Sequence, residues 1–486
     1  MSQICCPLTG ISEKSPDSPA IITNNEIITF AKLEQLVHQA ASNLKKAGVQ
    51  RRTRVALSGN SSPQVYITIL AAFRIGAVIC PVNSKWPEKA LLNALKQIDC
   101  RYLVLYGTES AGFTSDNFTV LQAENIAPLE TKVSVFRGQP IIDLNNPAAI
   151  IFSSGSTSQP KASLLSYGNL YYNALGANKR VKFRRGDRWL LSMPLYHVGG
   201  LGILFRSIIG GGAAVIPHKS ENAAASIGEY GITHLSLVPT QLYRLIHSGH
   251  LKMVEEHPTV LVGGASVTKE LLDSAKDAGL EVYSTYGLTE MASQVTAGKF
   301  ADVPHSGKIL SHRQLSIADD GEILVKGKTL FQGYINESSV ELPLDKNGWF
   351  HTGDIGELDV KKHLIVRGRK DNMFISGGEN VYPEEIEIWL KNLDGIDDAL
   401  VVGLDDKEFG RRATAFVKFT EDKKLSDDKI ITSLEKCLPR FKIPRTFFDW
   451  PVDEIEQSLK PNRQKLQKLA AKLFVNSKMQ IQKVSS

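Results

Sequence analysis

Hydrophobic positions in the first hundred residues alternate between two spacings. Apolar residues recur three and four positions apart from Thr29 to Ala47, which predicts an amphipathic helix that ends at Gly48. Short continuous apolar runs follow such helices and predict buried strands. The predicted order is helix Thr29–Ala47, strand Val55–Leu57, helix Val65–Ile75, strand Ala77–Val82, helix Glu88–Gln97 and strand Tyr102–Tyr106.

The same alternation returns further along the chain. The predicted order there is strand Trp189–Met193, helix Leu201–Ile208, strand Ala213–Ile216, strand His234–Val238, helix Thr240–His247 and strand Val260–Val262. Strands that alternate with helices of this length are typical of parallel sheets covered by helices. We therefore predict an α/β fold whose large N-terminal part contains two mostly parallel sheets wrapped by helices.

The pattern changes after Lys308. The short strands Glu322–Lys326 and Leu364–Arg367 predict a small antiparallel, barrel-like section. From Asp371 onward we predict an α+β unit with helix Pro383–Leu390, strands Asp398–Val402 and Ala413–Phe419, and helix Asp427–Lys436. A boundary in the charged run before Asp371 gives a large N-terminal domain of residues 1–370 and a small C-terminal domain of residues 371–486.

The composition narrows the class of protein. Of the 486 residues 42% are hydrophobic and 22% are charged, which suits a globular protein and excludes collagen, coiled coil and extensive disorder. The net charge of +6 comes without a long basic block. It argues only weakly for nucleic acid and fits a small anionic substrate equally well.

Cysteines and apolar stretches bear on the cellular setting. Five scattered cysteines without a Cys-x-x-Cys pair predict neither a disulfide framework nor a zinc site, and they favour a reducing cytoplasm. The opening residues lack the features of a secretory signal. The two most apolar stretches, Val65–Val82 and Val198–Pro217, contain Arg74 and Arg206, so a buried helix–strand pair explains each better than a membrane span.

The segment Ile150–Lys161 reads IIFSSGSTSQPK and follows an apolar strand. Backbone N–H groups, hydroxyl donors and a lysine in one loop are what a polyphosphate requires. The segment differs from the common GxxxxGK-Ser/Thr loop, because Pro160 replaces the second glycine and Ala162 replaces the hydroxyl residue. Taken alone, it is equally well explained as a serine-rich surface turn.

Four further segments occur in a fixed order, and together with this loop they resemble the adenylate-forming superfamily of acyl-CoA synthetases, luciferases and peptide-synthetase adenylation domains. The resembling segments are SSGSTSQPK for the phosphate loop, Tyr286–Glu290 for YGxTE, Trp349–Asp354 for WxxTGD, and Gly368–Asp371 with Ser376–Asn380 for the hinge and the turn after it. The elements Gly263–Ala265 and Pro194–His197 also match. The resemblance extends over nearly the whole chain.

The resemblance implies an enzyme that joins a carboxylic acid to AMP with release of pyrophosphate and then transfers the acyl group to coenzyme A. ATP, Mg²⁺ and coenzyme A are the implied cofactors. The implied phosphate contacts are Ser153, Ser154, Gly155, Ser156, Thr157 and Lys161. The implied adenine and ribose contacts are Gly263, Gly264, Ala265, Tyr286, Gly287, Asp354 and Arg369. Thr289 is expected at the α-phosphate and Glu290 as the Mg²⁺ ligand. Read without the resemblance, Asp354 could equally be a turn residue and Tyr286 a core aromatic.

The family's catalytic lysine lies near the C-terminus, before an arginine three residues later. Lys460 and Arg463 fall in that register, although Leu459 replaces a family glycine and Lys465 lies nearby. Ser158 replaces a second family glycine in the phosphate loop.

The resemblance also implies a C-terminal domain that rotates between two poses. Its hinge is expected at Asp371, and Gly377 and Gly378 are expected to line the channel for coenzyme A.

The acid is indicated by two segments. Amino-acid-activating relatives place an Asp near the PLYH element, and none occurs here. The stretch YGLTEMASQVT resembles the YGMTETASQ segment of the 2-succinylbenzoate–CoA ligases of menaquinone and phylloquinone biosynthesis, so an aromatic carboxylic acid is expected. The expected acid contacts are His197, which is also a catalytic candidate, Gly264, Ser293 and Gln294.

Two alternatives stay open. Ser293 and Gln294 could serve only to cap or pack the next helix, and the enzyme could be a broader aryl- or medium-chain acyl-CoA ligase. Because of Ser158 and Leu459, the chain could also be a non-catalytic paralogue that binds nucleotide or acyl-adenylate.

We predict that Lys460→Ala slows adenylate formation by ~10²–10³ but leaves thioester formation from a supplied acyl-adenylate nearly intact. The reason is that this cation acts only while charge builds at the α-phosphate, and losing one such group has an effect of that size. Pyrophosphate release and CoA-ester formation measured separately check this. An equal loss in both half-reactions, or the selective loss in Lys465→Ala instead, would contradict the choice of Lys460.

Overall fold

The structure is a computed structural model that describes residues 2–106, 118–130, 138–153, 160–217, 223–253, 257–264, 267, 269–300, 305–336, 339–420, 423–452 and 463–484. The α-helices are α1 (Pro7–Lys14), α2 (Phe30–Lys46), α3 (Pro63–Ile75), α4 (Glu88–Gln97), α5 (Ala123–Ile126), α6 (Tyr167–Arg180), α7 (Val198–Gly210), α8 (Ala223–Tyr230), α9 (Pro239–His247), α10 (Lys269–Asp277), α11 (Pro383–Lys391), α12 (Asp427–Leu434) and α13 (Arg463–Val484).

The strands up to residue 299 are β1 (Gln3–Cys5), β2 (Pro19–Ile22), β3 (Ile27–Thr29), β4 (Arg54–Ser58), β5 (Val78–Val82), β6 (Tyr102–Leu105), β7 (Thr119–Gln122), β8 (Ile141–Asp143), β9 (Pro147–Ser153), β10 (Lys161–Ser166), β11 (Arg188–Leu190), β12 (Ala213–Val215), β13 (His234–Leu237), β14 (Thr259–Val262), β15 (Glu281–Leu288) and β16 (Ser293–Lys299). The later strands are β17 (Lys308–Ile309), β18 (Arg313–Ile317), β19 (Glu322–Gly327), β20 (Gly333–Asn336), β21 (Ser339–Glu341), β22 (Phe350–Leu358), β23 (Leu364–Arg369), β24 (Phe374–Ser376), β25 (Glu379–Val381), β26 (Ile396–Asp406), β27 (Gly410–Phe419) and β28 (Thr446–Asp449).

Two large sheets dominate the first part of the chain. One runs in the order β21-β20-β10-β9-β5-β4-β6-β7 and the other in the order β17-β16-β15-β14-β13-β11-β12-β2-β3. The strands from β9 to β7 in the first sheet, and from β15 to β2 in the second, are parallel neighbours. This is the mixed α/β architecture that the alternation of helices and strands predicts.

Helix α3 begins and ends where its sequence provides caps. The Ser62 side chain accepts a hydrogen bond from the Val65 N–H at the start of α3, and Pro63 occupies the first turn. Gly76 ends the same helix in the left-handed region, with φ 72°. The chain then continues directly into buried β5, so the first apolar stretch is a helix–strand pair.

Two compact units divide the chain. The first comprises Met1–Ala265, Asp273–Leu315 and Val325–Phe350, and the second comprises Ser266–Leu272, Ser316–Leu324 and His351–Ser486. Within the second unit, α11 and α12 pack on the hairpin of β26 and β27 through a core that includes Ile386, Ala399 and Ile430. A four-stranded sheet in the order β18-β19-β22-β23 corresponds to the predicted antiparallel section.

Most predicted elements are confirmed within a few residues. The strand predicted at Trp189–Met193 ends at Leu190, and Ser293 and Gln294 begin strand β16, so the alternative in which they precede a helix is wrong. Several helices were not predicted, and one of them is α13 in the lysine-rich tail. Leu466 and Ala470 of α13 are buried against Leu400 and Phe416. Within the described ranges, no helix is both long and apolar enough to cross a membrane.

The first residue of α13 anchors this helix. The Arg463 guanidinium donates to both carboxylate oxygens of Glu387 on α11, at 2.6 and 2.9 Å, and to the Val401 carbonyl on β26, at 2.6 Å. Glu387 in turn accepts a hydrogen bond from the Val401 N–H at 2.7 Å. The arginine that marks the Lys-x-x-Arg register therefore joins three elements of the second unit.

We predict that Arg463→Ala destabilises the second unit by about 3 kcal/mol, because it leaves the Glu387 carboxylate buried without its cation. Urea denaturation followed by circular dichroism measures the loss. Arg411→Ala is the matched control, since Arg411 pairs with Asp405 at 3.3 Å on the exposed surface and such pairs contribute ~1 kcal/mol or less. Equal effects of the two substitutions would contradict the anchoring role.

Candidate active site

The carboxyl ends of parallel strands place several candidate residues at one edge of the nine-stranded sheet. Gly263 and Gly264 follow β14, and Glu290 follows the neighbouring strand β15. His197 precedes α7, after strand β11 of the same parallel run. Ligands of open α/β sheets bind at this edge, because the strand ends and helix starts converge there.

The phosphate-loop candidate connects two antiparallel strands. Ser153, the last residue of β9, pairs with Lys161, the first residue of β10. The loop therefore lies in a strand–loop–strand setting, whereas the GxxxxGK loop connects a strand to a helix. This agrees with the sequence differences at Pro160 and Ala162.

A short chain of polar contacts lies beside Lys161. The Tyr334 hydroxyl donates to Glu290 Oε1 at 2.6 Å, and the Lys161 ammonium lies 5.1 Å from the centroid of the Tyr334 ring. Tyr334 lies on β20, which pairs with β10, so the eight-stranded sheet brings the lysine to the tyrosine. Glu290 meets the same tyrosine from the turn that follows β15 in the nine-stranded sheet. Thr289 belongs to the same 3₁₀ turn as Glu290.

The backbone between Glu290 and Gln294 is unusual. Ala292 and Ser293 have positive φ angles of 55° and 110°, which side-chain-bearing residues rarely adopt. A Cβ atom on Gly287 would lie 2.1 Å from the Ser293 carbonyl oxygen, so the close approach of the two strands requires glycine there. Strain of this kind clusters at functional sites.

Gln294 is buried and its amide is engaged at both ends. Its Nε2 donates to Thr285 Oγ1 at 3.1 Å, and its Oε1 accepts from the Arg206 guanidinium at 2.5 Å. Arg206 is itself buried, lies 4.9 Å from the Trp189 ring centroid, and forms no ion pair with a carboxylate among the described residues. Burial lowers the pKa of Arg206 to about 10.

The remaining nucleotide candidates of the first unit are tightly placed. Tyr286 is buried on β15. Gly264 has φ 82°, and a Cβ atom on Gly263 would lie 2.7 Å from Thr285 Cγ2. The His197 ring packs 4.7 Å from the Tyr196 ring, centroid to centroid. Gly263 therefore has no room for a side chain, and the positive φ of Gly264 favours glycine.

The ribose candidates belong to the second unit. Asp354 and Arg369 are cross-strand partners on β22 and β23, and Arg369 Nη1 donates to Asp354 Oδ1 at 2.9 Å. The same guanidinium lies 3.5 Å from a carboxylate oxygen of Asp371, which is exposed in the 3₁₀ turn after β23. The hinge candidate and the ribose candidates are therefore neighbours.

The two channel candidates form a hairpin turn. Gly377 and Gly378 connect β24 to β25 with φ angles of 60° and 89°. Two positive φ angles in a two-residue loop are the geometry of a type I′ turn, which glycine permits. Six candidates lie outside the described residues: Ser154, Gly155, Ser156, Thr157, Ala265 and Lys460. The substituted positions Ser158 and Leu459 lie outside them too.

Two residues of these networks did not emerge as site candidates from the sequence: Tyr334 and Arg206. Arg206 had a visible signal, because a lone arginine inside the apolar stretch of α7 must find a buried polar partner. Tyr334 had none, since its partner Glu290 lies 44 positions away along the chain.

A magnesium ion fits the donor set around Glu290. Mg²⁺ is commonly held by one or two carboxylates together with substrate phosphates and water. Glu290 supplies a carboxylate beside the loop expected to hold phosphates. In the part of the chain that the structure describes, no cluster of three or more His, Cys, Asp or Glu side chains could hold a metal by itself.

Comparisons with known proteins identify one family of enzymes as similar to this chain. The sequence model of a family described as AMP-binding enzyme matches residues 10–335. The chain is 30% identical to a 2-succinylbenzoate–CoA ligase of Bacillus pumilus, over 95% of this chain and 96% of the relative. It is 33% identical to a protein of the same name from Haemophilus influenzae, over 93% and 94% of the two chains.

Solved structures give the same result. The o-succinylbenzoate CoA synthetase (MenE) of Bacillus subtilis in complex with the acyl-adenylate intermediate OSB-AMP is similar with a TM-score of 0.84 and 26% identity, over 96% of this chain and 99% of that one. The same enzyme in complex with ATP and magnesium ion is similar with a TM-score of 0.81 and 26% identity, over 92% and 96%.

We predict that Tyr334→Phe raises the Mg²⁺ concentration needed for half-maximal pyrophosphate release by about 5-fold, while kcat changes little. The loss of one hydrogen bond to a carboxylate corresponds to ~1 kcal/mol or more, and it leaves Glu290 less firmly oriented. Magnesium titrations at saturating ATP measure the effect. Tyr171→Phe serves as the control, and equal behaviour of the two variants would contradict the role of Tyr334.

Proposed function

The chain belongs to the family of AMP-binding enzymes, and on that premise we propose that it is an AMP-forming acid–CoA ligase that converts 2-succinylbenzoate to 2-succinylbenzoyl-CoA, a reaction of menaquinone and phylloquinone biosynthesis. The names of the relatives support this acid. The structural observation that carries the choice is the buried guanidinium group of Arg206, which donates a hydrogen bond to the Gln294 amide and forms no ion pair with a carboxylate among the described residues.

The first half-reaction joins the substrate carboxylate to the α-phosphorus of ATP. A carboxylate oxygen attacks, the bond to pyrophosphate breaks, and the charge that develops on the phosphoryl oxygens needs fixed positive partners. We assign the β- and γ-phosphates to Ser153, Ser154, Gly155, Ser156, Thr157 and Lys161. We assign the α-phosphate to Thr289 and Lys460.

Glu290, oriented by Tyr334, would hold Mg²⁺, which when bound neutralises phosphate charge. Asp354 offers two acceptor oxygens to the ribose hydroxyls, while Arg369 holds that carboxylate in place. Tyr286, Gly287 and the backbone of Gly263, Gly264 and Ala265 flank the adenine in this assignment.

The second half-reaction transfers the acyl group to coenzyme A. The thiolate attacks the acyl carbon, the bond to the phosphate oxygen breaks, and AMP leaves. We propose that residues 371–486 rotate as a small domain about Asp371 relative to residues 1–370. The glycine turn at Gly377 and Gly378 then lines the path of the pantetheine arm.

The diacid requires polar partners in its pocket. 2-Succinylbenzoate carries a ring carboxylate besides the one that is activated, and burying it without a cation is costly. We assign Arg206 to that group, held in position by Gln294, with His197, Gly264 and Ser293 completing the acid pocket. Gln294 thus acts through Arg206, because its own amide is engaged at both ends.

We also propose a cytoplasmic location. All five cysteines are free, and none of them pairs in a disulfide. A reducing compartment suits such a set.

We predict that 4-oxo-4-phenylbutyrate, which lacks only the ring carboxylate, is used at least ~10²-fold less efficiently than 2-succinylbenzoate. A site built for a polar group rejects the analogue that lacks it by factors of this size or more. Pyrophosphate release measured as kcat/KM over a panel that includes benzoate and a medium-chain fatty acid provides the test. Comparable values across the panel would favour a broader acyl-CoA ligase, and no turnover of any acid would favour a non-catalytic paralogue.

Arg206→Met tests whether the charge of Arg206 causes the preference for the diacid. The variant keeps an unbranched apolar side chain in place of the arginine stem and removes the charge, so we expect the preference for the diacid to shrink while the KM for ATP stays unchanged. Lys179→Met, on the exposed end of α6, is the control. An unchanged preference in Arg206→Met would contradict the assignment of the ring carboxylate to this residue.

A further inference from the structure

A buried carboxylate at the start of β19 collects three donors. The Glu322 side chain is 7% exposed. Its Oε1 accepts the Gly353 N–H at 2.9 Å, and its Oε2 lies 3.1 Å from His351 Nδ1 and 3.0 Å from the Lys370 ammonium. All four residues belong to the second unit.

These donors come from two functional segments. Gly353 directly precedes Asp354, the ribose candidate, and has a left-handed φ of 72°. Lys370 directly precedes Asp371, the hinge candidate, and its ammonium also contacts Asp320 at 2.6 Å. One carboxylate therefore joins the ribose turn to the last residue before the hinge.

The ribose turn has a second attachment to β19. The Thr352 hydroxyl donates to the Ile323 carbonyl at 2.7 Å and accepts the Asp354 N–H at 3.1 Å. Together with the Gly353–Glu322 bond, this joins the Thr352 side chain and the Gly353 backbone to two consecutive residues of β19, and Thr352 in turn holds the Asp354 N–H. The left-handed glycine needs such support, because nothing in its own conformation favours this turn over others.

The environment of Glu322 and Lys370 favours the charged form of both side chains. Burial opposes ionisation of Glu322, but hydrogen bonds from His351, Gly353 and Lys370 outweigh it and hold the pKa of this carboxyl below its usual value. The two carboxylates beside Lys370 raise the pKa of its ammonium. A buried charge without partners would be costly, so the carboxylate and its donors stabilise one another.

We propose that Glu322 is a positioning residue for nucleotide binding: it holds the Gly353–Asp354 turn in the form that accepts the ribose hydroxyls and ties this turn to the chain before the hinge. The inference rests on the proposed role of Asp354. Glu322 itself touches no substrate in this account. Its contribution is geometric, because a carboxylate displaced by a fraction of an ångström loses the paired contact to two hydroxyls.

The test is AMP binding by calorimetry with the full-length chain. Glu322→Gln preserves the size of the side chain and an acceptor for Gly353 but removes the charge that holds Lys370 and His351. We expect the Kd for AMP to rise ~10-fold. Pyrophosphate has no ribose and therefore makes no contact with Asp354, so its Kd should stay within about 2-fold of the wild-type value.

The control removes an ion pair from the same two strands. Arg367 on β23 contacts Glu357 on β22 at 2.5 Å, with both side chains about half exposed. Glu357→Gln should bind AMP and pyrophosphate like the wild type. If Glu322→Gln also binds AMP like the wild type, or loses AMP and pyrophosphate equally, the inference is overturned.

A second variant covers the case in which Glu322→Gln does not fold. Lys370→Met leaves the Glu322 carboxylate with Gly353 and His351, and we expect the Kd for AMP to rise about 3-fold without change for pyrophosphate. A wild-type Kd for AMP in this variant would count against the inference. The acid takes no part in these measurements, so an error in its assignment would show only in the substrate panel.

Discussion

The burial of two guanidinium groups around Gln294 is the constraint on which the first unit depends. Arg206 donates to the side-chain carbonyl of Gln294, and Arg313 donates to the backbone carbonyl of the same residue at 2.6 Å. Burial lowers the pKa of both arginines, to about 10 and about 9, and in Arg313 the charge of Arg206 contributes. Charges buried in this way need fixed partners, so the position of Gln294 can shift little.

A fixed Gln294 determines the chain before it. β15 must reverse into β16 within a few residues, and the reversal places Ala292 and Ser293 at positive φ. Each such residue costs on the order of 1–3 kcal/mol, which the hydrogen bonds at Gln294 offset. The turn that results carries Glu290, and Tyr334 fixes its carboxylate. Glu290, the Mg²⁺ candidate, and Gln294, a candidate of the acid pocket, thus lie at the two ends of one strained connection.

The second unit uses a buried charge of the opposite sign in a similar way. Glu322 organises a turn through a backbone N–H and two cationic or hydrogen-bonding side chains, as the arginines organise Gln294. In both units a buried ionic group belongs to the hydrogen-bond network that fixes a turn carrying candidate ligand contacts. Such groups add little net stability, because desolvation offsets their attraction, and they specify one arrangement of the loop.

The order of helices and strands could be predicted from the amino-acid sequence, because apolar spacing reports which face of each element is buried. The reaction class could be predicted too, since the phosphate, YGLTE and TGD segments are each contiguous and carry their chemistry locally. The pairing of Arg206 with Gln294 across 88 positions, of Tyr334 with Glu290 across 44 and of Glu322 with Gly353 across 31 could not. These pairs are set by the three-dimensional fold, because a hydrogen bond between distant residues depends on strand order and register, which leave no periodic signal in either segment.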